Sequence, residues 1–304
     1  MTQLILEQAL NGLQFGLMLF LLAAGLTLVF GIMDMINLAH GSLYMAGAYL
    51  AAAATQASNS FVVGIGAAML ATAILGALLE ITLLRRLYAR NHLAQVLATF
   101  ALILIANEAV RMIWGAQPVP LNAPDALSGP VNIAGFFYPA YRLLIIGVGA
   151  LVAVLLYVLV THTRLGMWVR AGASNREMTE ALGINVRLLF TIVFAFGAAL
   201  CALAGAMLGP LLAVQAGMGE SILILAFVVI VIGGIGSIRG ALVGSLLVGI
   251  VDTLGRAALP SLLSLFLSPE VASNFGPALA SVLIYLLMAA ILFWRPEGLF
   301  PARA

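Results

Sequence analysis

The sequence predicts an all-α, polytopic membrane protein of about eight or nine transmembrane helices, some of them broken or re-entrant. Three observations lead there. The 304 residues are 64% hydrophobic and only 8% charged, and mean hydropathy is +1.18. A soluble domain carries about a quarter charged residues, so this chain cannot cover a water-facing surface. The apolar runs are about 20 residues long and do not alternate, which suits helices crossing hydrocarbon and not barrel strands. Finally, a few polar groups interrupt those runs, where lipid would not tolerate them.

The candidate spans lie near 9–31, 42–57, 61–84, 93–113, 142–162, 188–210, 220–236, 240–258 and 276–294. The second and seventh are short for a full crossing and so are candidates for re-entrant segments. No loop is long enough to hold a soluble core, so residues 1–304 form a single transmembrane domain. The opening MTQLILEQALNG lacks a basic region and a convincing cleavage site, so the first run reads as a retained span and not a signal peptide.

Orientation follows from the arginines, which supply all 13 basic residues. With the N-terminus outside and the spans alternating, Arg85, Arg86, Arg90, Arg164, Arg170, Arg176, Arg187, Arg239, Arg295 and Arg303 fall inside. Only Arg111, Arg142 and Arg256 fall outside. Positive loops stay on the cytoplasmic side, so the reverse orientation is rejected. Net charge is +2 with scattered bases, which gives no footprint for nucleic acid.

The stretch Gly31–Tyr49, GIMDMINLAHGSLYMAGAY, lies between two apolar runs. It reads as a helix that breaks, shows Asn37, His40, Gly41 and Ser42 to a passage, and restarts at Ser42. A plain cytoplasmic turn is the competing reading. A weak echo occurs at Ile230–Gly249, IVIGGIGSIRGALVGSLLVG, where Gly236, Ser237 and Gly240 would form a second break and a helix would restart near Ala241. Both turns fall on one side, which suggests a parallel internal repeat. The two restarts would converge on the route and aim free N–H groups at a carboxylate.

Two loops stand out. Residues 115–141 form an external loop stiffened by five prolines, expected to pack on the outer face or meet a partner. Residues 163–187 form the longest internal loop. Within it Asn175 can cap a short helix that carries Arg176, Glu177 and Glu180 and ends at Gly183. A helix of that kind on the cytoplasmic face can transmit a push from a soluble partner.

Other chemistry is weakly supported. GGIGS lacks the Lys-Ser/Thr ending of a phosphate loop. His40, His92, His162 and the single Cys201 have no metal-ligand spacing, and neither Ser42 nor Ser237 sits in a nucleophile motif. No catalytic residue, metal or cofactor is expected. Glu80 with Arg85, Glu108 with Arg111 and Asp252 with Arg256 read as structural ion pairs on single helices. A proton-coupled carrier would instead use Asp34 and His40.

Four motifs together resemble a known family: INLAHGSLYMAGAY (Ile36–Tyr49), EALGINVR (Glu180–Arg187), GGIGSIRGALVG (Gly233–Gly244) and RPEGLF (Arg295–Phe300). The chain is similar to the LivH-type permease subunit of bacterial branched-chain amino acid ABC importers, from about Leu10 to Phe300. That resemblance implies a multi-pass protein of the bacterial inner membrane. Its implied partners are a LivM-type second permease, two cytoplasmic ATP-binding subunits and a periplasmic substrate-binding protein, and the loop at 173–186 would be the coupling loop. Its glycine follows Ala181 and Leu182 more closely than the general permease pattern has it. Similar permeases carry urea, short amides or aromatic acids, so those cargoes remain alternatives. A secondary carrier, a channel and a membrane enzyme are the rival classes.

Overall fold

The computed structural model describes residues 2–33, 35, 37–133 and 135–300. Asp34, named above as a proton-carrier candidate, lies outside the described residues. Among the described residues twelve α-helices follow one another: α1 Thr2–Met33, α2 His40–Ser58, α3 Phe61–Leu79, α4 Arg85–Leu87, α5 His92–Trp114, α6 Ala140–His162, α7 Arg164–Ser174, α8 Arg176–Ala181, α9 Val186–Leu208, α10 Met218–Gly233, α11 Ile238–Leu263 and α12 Pro269–Trp294. A π-helical turn, Glu80–Leu84, joins α3 to α4, so the two form one continuous crossing. Among the described residues, seven helices are long and apolar enough to cross a membrane. The two shorter ones in the sequence series are α2, at 19 residues, and α10, at 16. They are the second and seventh spans, which length had marked as candidates for partial crossing.

Helices α1 and α9 form the centre. Both are apolar around their whole circumference, the pattern of a helix surrounded by protein. Phe20, Leu21, Leu22, Ala23 and Ala24 of α1 are buried in succession, as are Leu200 to Leu208 of α9. Lipid offers no hydrophobic drive to pair helices, so close backbone approach must supply the dispersion energy. Small residues provide it. A Cβ placed on Gly25 would stand 2.9 Å from the Gly197 carbonyl oxygen, one on Gly12 2.9 Å from Ile250 Cα, and one on Gly16 2.8 Å from the Ser245 oxygen. The outer helices α3, α5, α6 and α12 keep exposed apolar faces, such as Val62, Leu70, Ile74 and Leu78 on α3.

The internal echo takes a different form from the parallel one suggested by sequence. Gly25 backs Gly197 and Gly41 backs Gly219, each pair reciprocally. Helix α3 lies along α9 as α11 lies along α1. These contacts relate α1–α2–α3 to α9–α10–α11, not α1–α2 to α10–α11. Helices α1 and α9 run oppositely: the end of α1 meets Gly236, while the start of α9 holds Thr191 at the Glu80–Arg85 pair and its far end receives the Tyr141 hydroxyl on the Met207 carbonyl. The relation is therefore an inverted one. The sequence echo had followed the small-residue spacing of two closely packed helices, a feature α2 and α11 share for packing reasons alone.

Residues 115–139 pack back on the end of the bundle opposite the arginine-rich one. They contain a hairpin, β1 Pro130–Ile133 with β2 Phe136–Pro139. Tyr138 is fully buried and donates to Asn11 Oδ1 at 2.9 Å, and Val119 pairs with Val214.

Candidate functional site

Helix α2 begins inside the bundle. Ahead of α2, Ala39 N–H donates to Asn37 Oδ1 at 3.0 Å, a local side-chain turn that leads into the first turn of the helix. His40 then reaches the α1–α9 crossing, with Nε2 3.0 Å from Cys201 Sγ. Asn37 and His40 are both fully buried. They hold the break in place and do not line an open surface. Cys201 is buried against His40. Ser42, beside them, is half-buried.

Helix α10 also begins part-way through the bundle. Its 16 residues extend only about 24 Å at the α-helical rise, short of the roughly 30 Å hydrocarbon core. Its start touches the start of α2, backbone against backbone, through Gly41 and Gly219. The level of this contact can be traced on two neighbours. Trp114, the last residue of α5, packs against Tyr49 with ring centroids 5.1 Å apart and the rings tilted by 45°. Seven residues earlier on α5, about 10 Å deeper, Asn107 Nδ2 donates to Glu220 Oε1 at 2.6 Å and Asn107 Oδ1 accepts from Gly217 N–H at 3.1 Å. From the other side, Glu220 stands 13 residues, about 20 Å, before Gly233 at the end of α10. The meeting point thus lies inside the bundle, nearer the Trp114 end than the Gly233 end, and Glu220 and Ser221 are exposed there.

Sequence reasoning placed the second break at Gly236, Ser237 and Gly240. A break does occur there. Gly234 and Gly236 have φ of +101° and +80°, and Ser237 Oγ caps α11 by accepting from Gly240 N–H at 3.1 Å. Yet this break lies at the arginine-rich end, where Gly31 faces Gly236 and the closing segment adds Leu299 N–H to the Ile232 carbonyl and Phe300 N–H to Gly233. The two helix restarts, at the start of α2 and the start of α11, therefore sit at opposite ends of α10 and do not converge. The residues missed were Gly217, Gly219, Glu220 and Asn107. The signal for them was present in GMGES (Gly217–Ser221), which repeats the glycine and hydroxyl of HGS (His40–Ser42) between apolar runs.

The loop at 163–187 is folded. Thr163 caps α7 by accepting from Gly166 N–H at 3.2 Å, and Asn175 caps α8 by accepting from Met178 N–H at 2.9 Å. Gly183, with φ of +86°, ends α8. Helix α7, at the start of this loop, had not been anticipated. Arg176 pairs with Glu180 at 3.5 Å and lies over the Phe190 ring at 4.9 Å. Glu177, Glu180, Met178 and Leu182 are all exposed, so α8 presents a mixed acidic and apolar surface to its surroundings.

Beneath α8 lies the most elaborate polar cluster. Glu80, fully buried at the π turn, accepts from Arg85 Nε at 3.2 Å and Nη2 at 2.8 Å, from Thr191 Oγ1 at 2.6 Å and from the Tyr88 hydroxyl at 3.0 Å. Burial, and then the Glu80 charge, hold the Tyr88 phenol well above its usual range, so it remains a donor. The other expected pairs also form, Arg111 with Glu108 at 2.8 Å and Arg256 with Asp252 at 2.8 Å.

The family model described as branched-chain amino acid transport system / permease component matches residues 8–292. The chain belongs to this family. This permease is 31% identical to the high-affinity branched-chain amino acid transport system permease protein BraD of Pseudomonas aeruginosa, over 97% of its own length and 95% of the relative's. It is 30% identical to LivH of Escherichia coli K12, over 96% of each chain. A more distant match, at 27% identity, is the ribose import permease protein RbsC of Escherichia coli K12, covering 76% of this permease and 72% of that one. No solved structure matches. The permease is a multi-pass inner-membrane protein, and permeases of this importer class work with ATPase and binding-protein partners.

Proposed function

We propose that this permease forms half of the route by which an ABC importer carries branched-chain amino acids inward across the bacterial inner membrane. One observation carries the placement of the route: two helix starts meet inside the bundle with an exposed carboxylate, Glu220, beside them. An exposed charge at that depth cannot face lipid and marks an aqueous path or a partner. Ser42, Asn107 and Glu220 line the path there, and Glu220 suits the ammonium group of an amino acid. Asn37, His40 and Gly41 position this point from behind, and Gly236, Ser237 and Gly240 shape the inner end of the route. The chain has no catalytic site of its own. The resemblance to LivH and BraD favours branched-chain amino acids over urea, short amides or aromatic acids.

In this reading a LivM-type permease completes the path, and a periplasmic binding protein delivers substrate to the end closed by residues 115–141. Two ATP-binding subunits serve the assembly, docking where Asn175, Arg176, Glu177, Glu180 and Gly183 present α8 on the arginine-rich, cytoplasmic side. The test is substrate uptake by the reconstituted complex carrying Ser42→Leu or Glu220→Gln, with assembly verified. Ser42→Leu places a branched side chain on the path and is expected to abolish uptake. Glu220→Gln removes a charge-assisted contact and is expected to cut uptake about tenfold. Near-normal uptake by both variants would remove this placement of the route.

A further inference from the structure

The polar groups at the arginine-rich end of α3 do more than pair with one another. Glu80, Arg85, Tyr88, Ala89, Arg176, Arg187 and Phe190 line an open cleft of about 420 Å³. Its charges do not balance. Arg85 is matched by Glu80 and Arg176 by Glu180. The Arg187 side chain has no ion pair or hydrogen bond among the described residues, although it lines the same cleft. The floor is aromatic, with Tyr88 and Phe190 edge to face at 5.6 Å. The cleft is therefore a cationic recess with one unmatched guanidinium and an apolar base, which suits a phosphate ester.

Its position selects the source of that phosphate. The cleft lies at the end of the apolar crossing Phe61–Leu87 and at the start of α9. Immediately along those two helices, Leu78 and Ile81 of α3 and its π turn, and Leu188 and Ile192 of α9, are 44–56% exposed. Acyl chains can lie on such side chains while a headgroup enters the recess. Basic pockets between transmembrane helices on the cytoplasmic side bind anionic lipid headgroups in this way. A guanidinium, planar and weakly hydrated, is also the better partner for a phosphodiester than an ammonium would be.

We propose that this cleft is a binding site for the phosphodiester headgroup of an anionic phospholipid of the cytoplasmic leaflet, with Arg187 as its principal ligand. The site borders α8 through Arg176, so an occupied headgroup would brace the segment proposed to receive the ATPase. The lipid site itself does not depend on that docking.

The test uses the full chain, purified in detergent without other subunits and stripped of lipid. Phosphatidylglycerol or phosphatidylcholine is titrated in, and bound lipid is counted by native mass spectrometry. Phosphatidylglycerol is expected to bind at least tenfold more tightly, as a charge-assisted contact implies. Arg187→Gln should weaken it about tenfold, and Arg187→Lys should restore part of the loss if the variant's fault is charge and not folding. Arg86→Gln removes the same charge from an exposed neighbour outside the cleft and should leave binding within about twofold, since exposed charges at a distance are screened. Equal binding of the two lipids overturns the proposal. An equal loss in Arg86→Gln also overturns it, by showing diffuse attraction in place of a site. Millimolar inorganic phosphate that displaces phosphatidylglycerol completely would assign the cleft to a free anion and overturn the lipid source.

Discussion

The Glu80–Arg85 pair allows a sharp prediction because its two partners are unequally exposed. The Glu80 side chain is 0% accessible, while that of Arg85 is 34% accessible. Removing the cation by Arg85→Gln leaves a fully buried carboxylate with only two hydroxyl donors, Thr191 and Tyr88. Breaking a buried pair in that direction costs about 3–5 kcal/mol. The reverse change, Glu80→Gln, leaves a guanidinium that water can partly reach. Whichever way the new amide is oriented, its NH₂ opposes one Arg85 N–H, so one charge-assisted bond is lost, about 2–3 kcal/mol. The double amide variant buries neither charge, and its cost should fall short of the sum of the singles by about 1–3 kcal/mol. At this chain length roughly 2 °C of Tm accompanies each kcal/mol. Thermal melts of the purified chain in one detergent should therefore fall about 6–10 °C for Arg85→Gln and about 4–6 °C for Glu80→Gln. Additive single effects, or a larger drop for Glu80→Gln, would refute the reasoning, because either would mean that Arg85 does not hold the buried carboxylate.

Two further outcomes follow from the loops. Reversing Glu177 and Glu180 to Lys removes the acidic part of the exposed α8 surface, and it should lower substrate-stimulated ATP hydrolysis by the assembled importer at least tenfold while the chain stays folded and inserted. Unchanged coupling would disprove the docking role of α8. A cysteine at Ser174 should resist an impermeant thiol reagent in intact cells, whereas one at Ser128, exposed in the outer loop, should label; labelling at Ser174 from outside would invert the arrangement.

The sequence by itself determined the class of the molecule and most of its helices. Apolar runs of membrane length, with almost no charge to spare, leave the backbone no other way to satisfy its hydrogen bonds. The arginine distribution gave an orientation, and short-range chemistry was equally legible. Asn175 caps α8 and Gly183 ends it, and three ion pairs form at helical spacing, because each depends only on neighbours within a turn or two. The four motifs also carried the family, which the match across residues 8–292 supports.

Tertiary structure decided what met what. A sequence shows that a helix breaks but not how far the chain turns back into the bundle before restarting, since that depends on which helix offers room. Gly25 and Gly197 open the crossing where His40 sits, and Gly219 lets Gly41 approach. The start of α2 therefore meets α10 at Glu220 and not α11 at Ser237, although the second break is the more conspicuous one in the sequence. Likewise Arg187 reads as one more basic residue of a cytoplasmic loop. Only the packing of α9 against the π turn after α3 leaves it facing a recess in which every other charge already has a partner. In a chain this apolar, each polar group is informative in sequence, but its partner is fixed by helix packing over distances that local spacing does not encode.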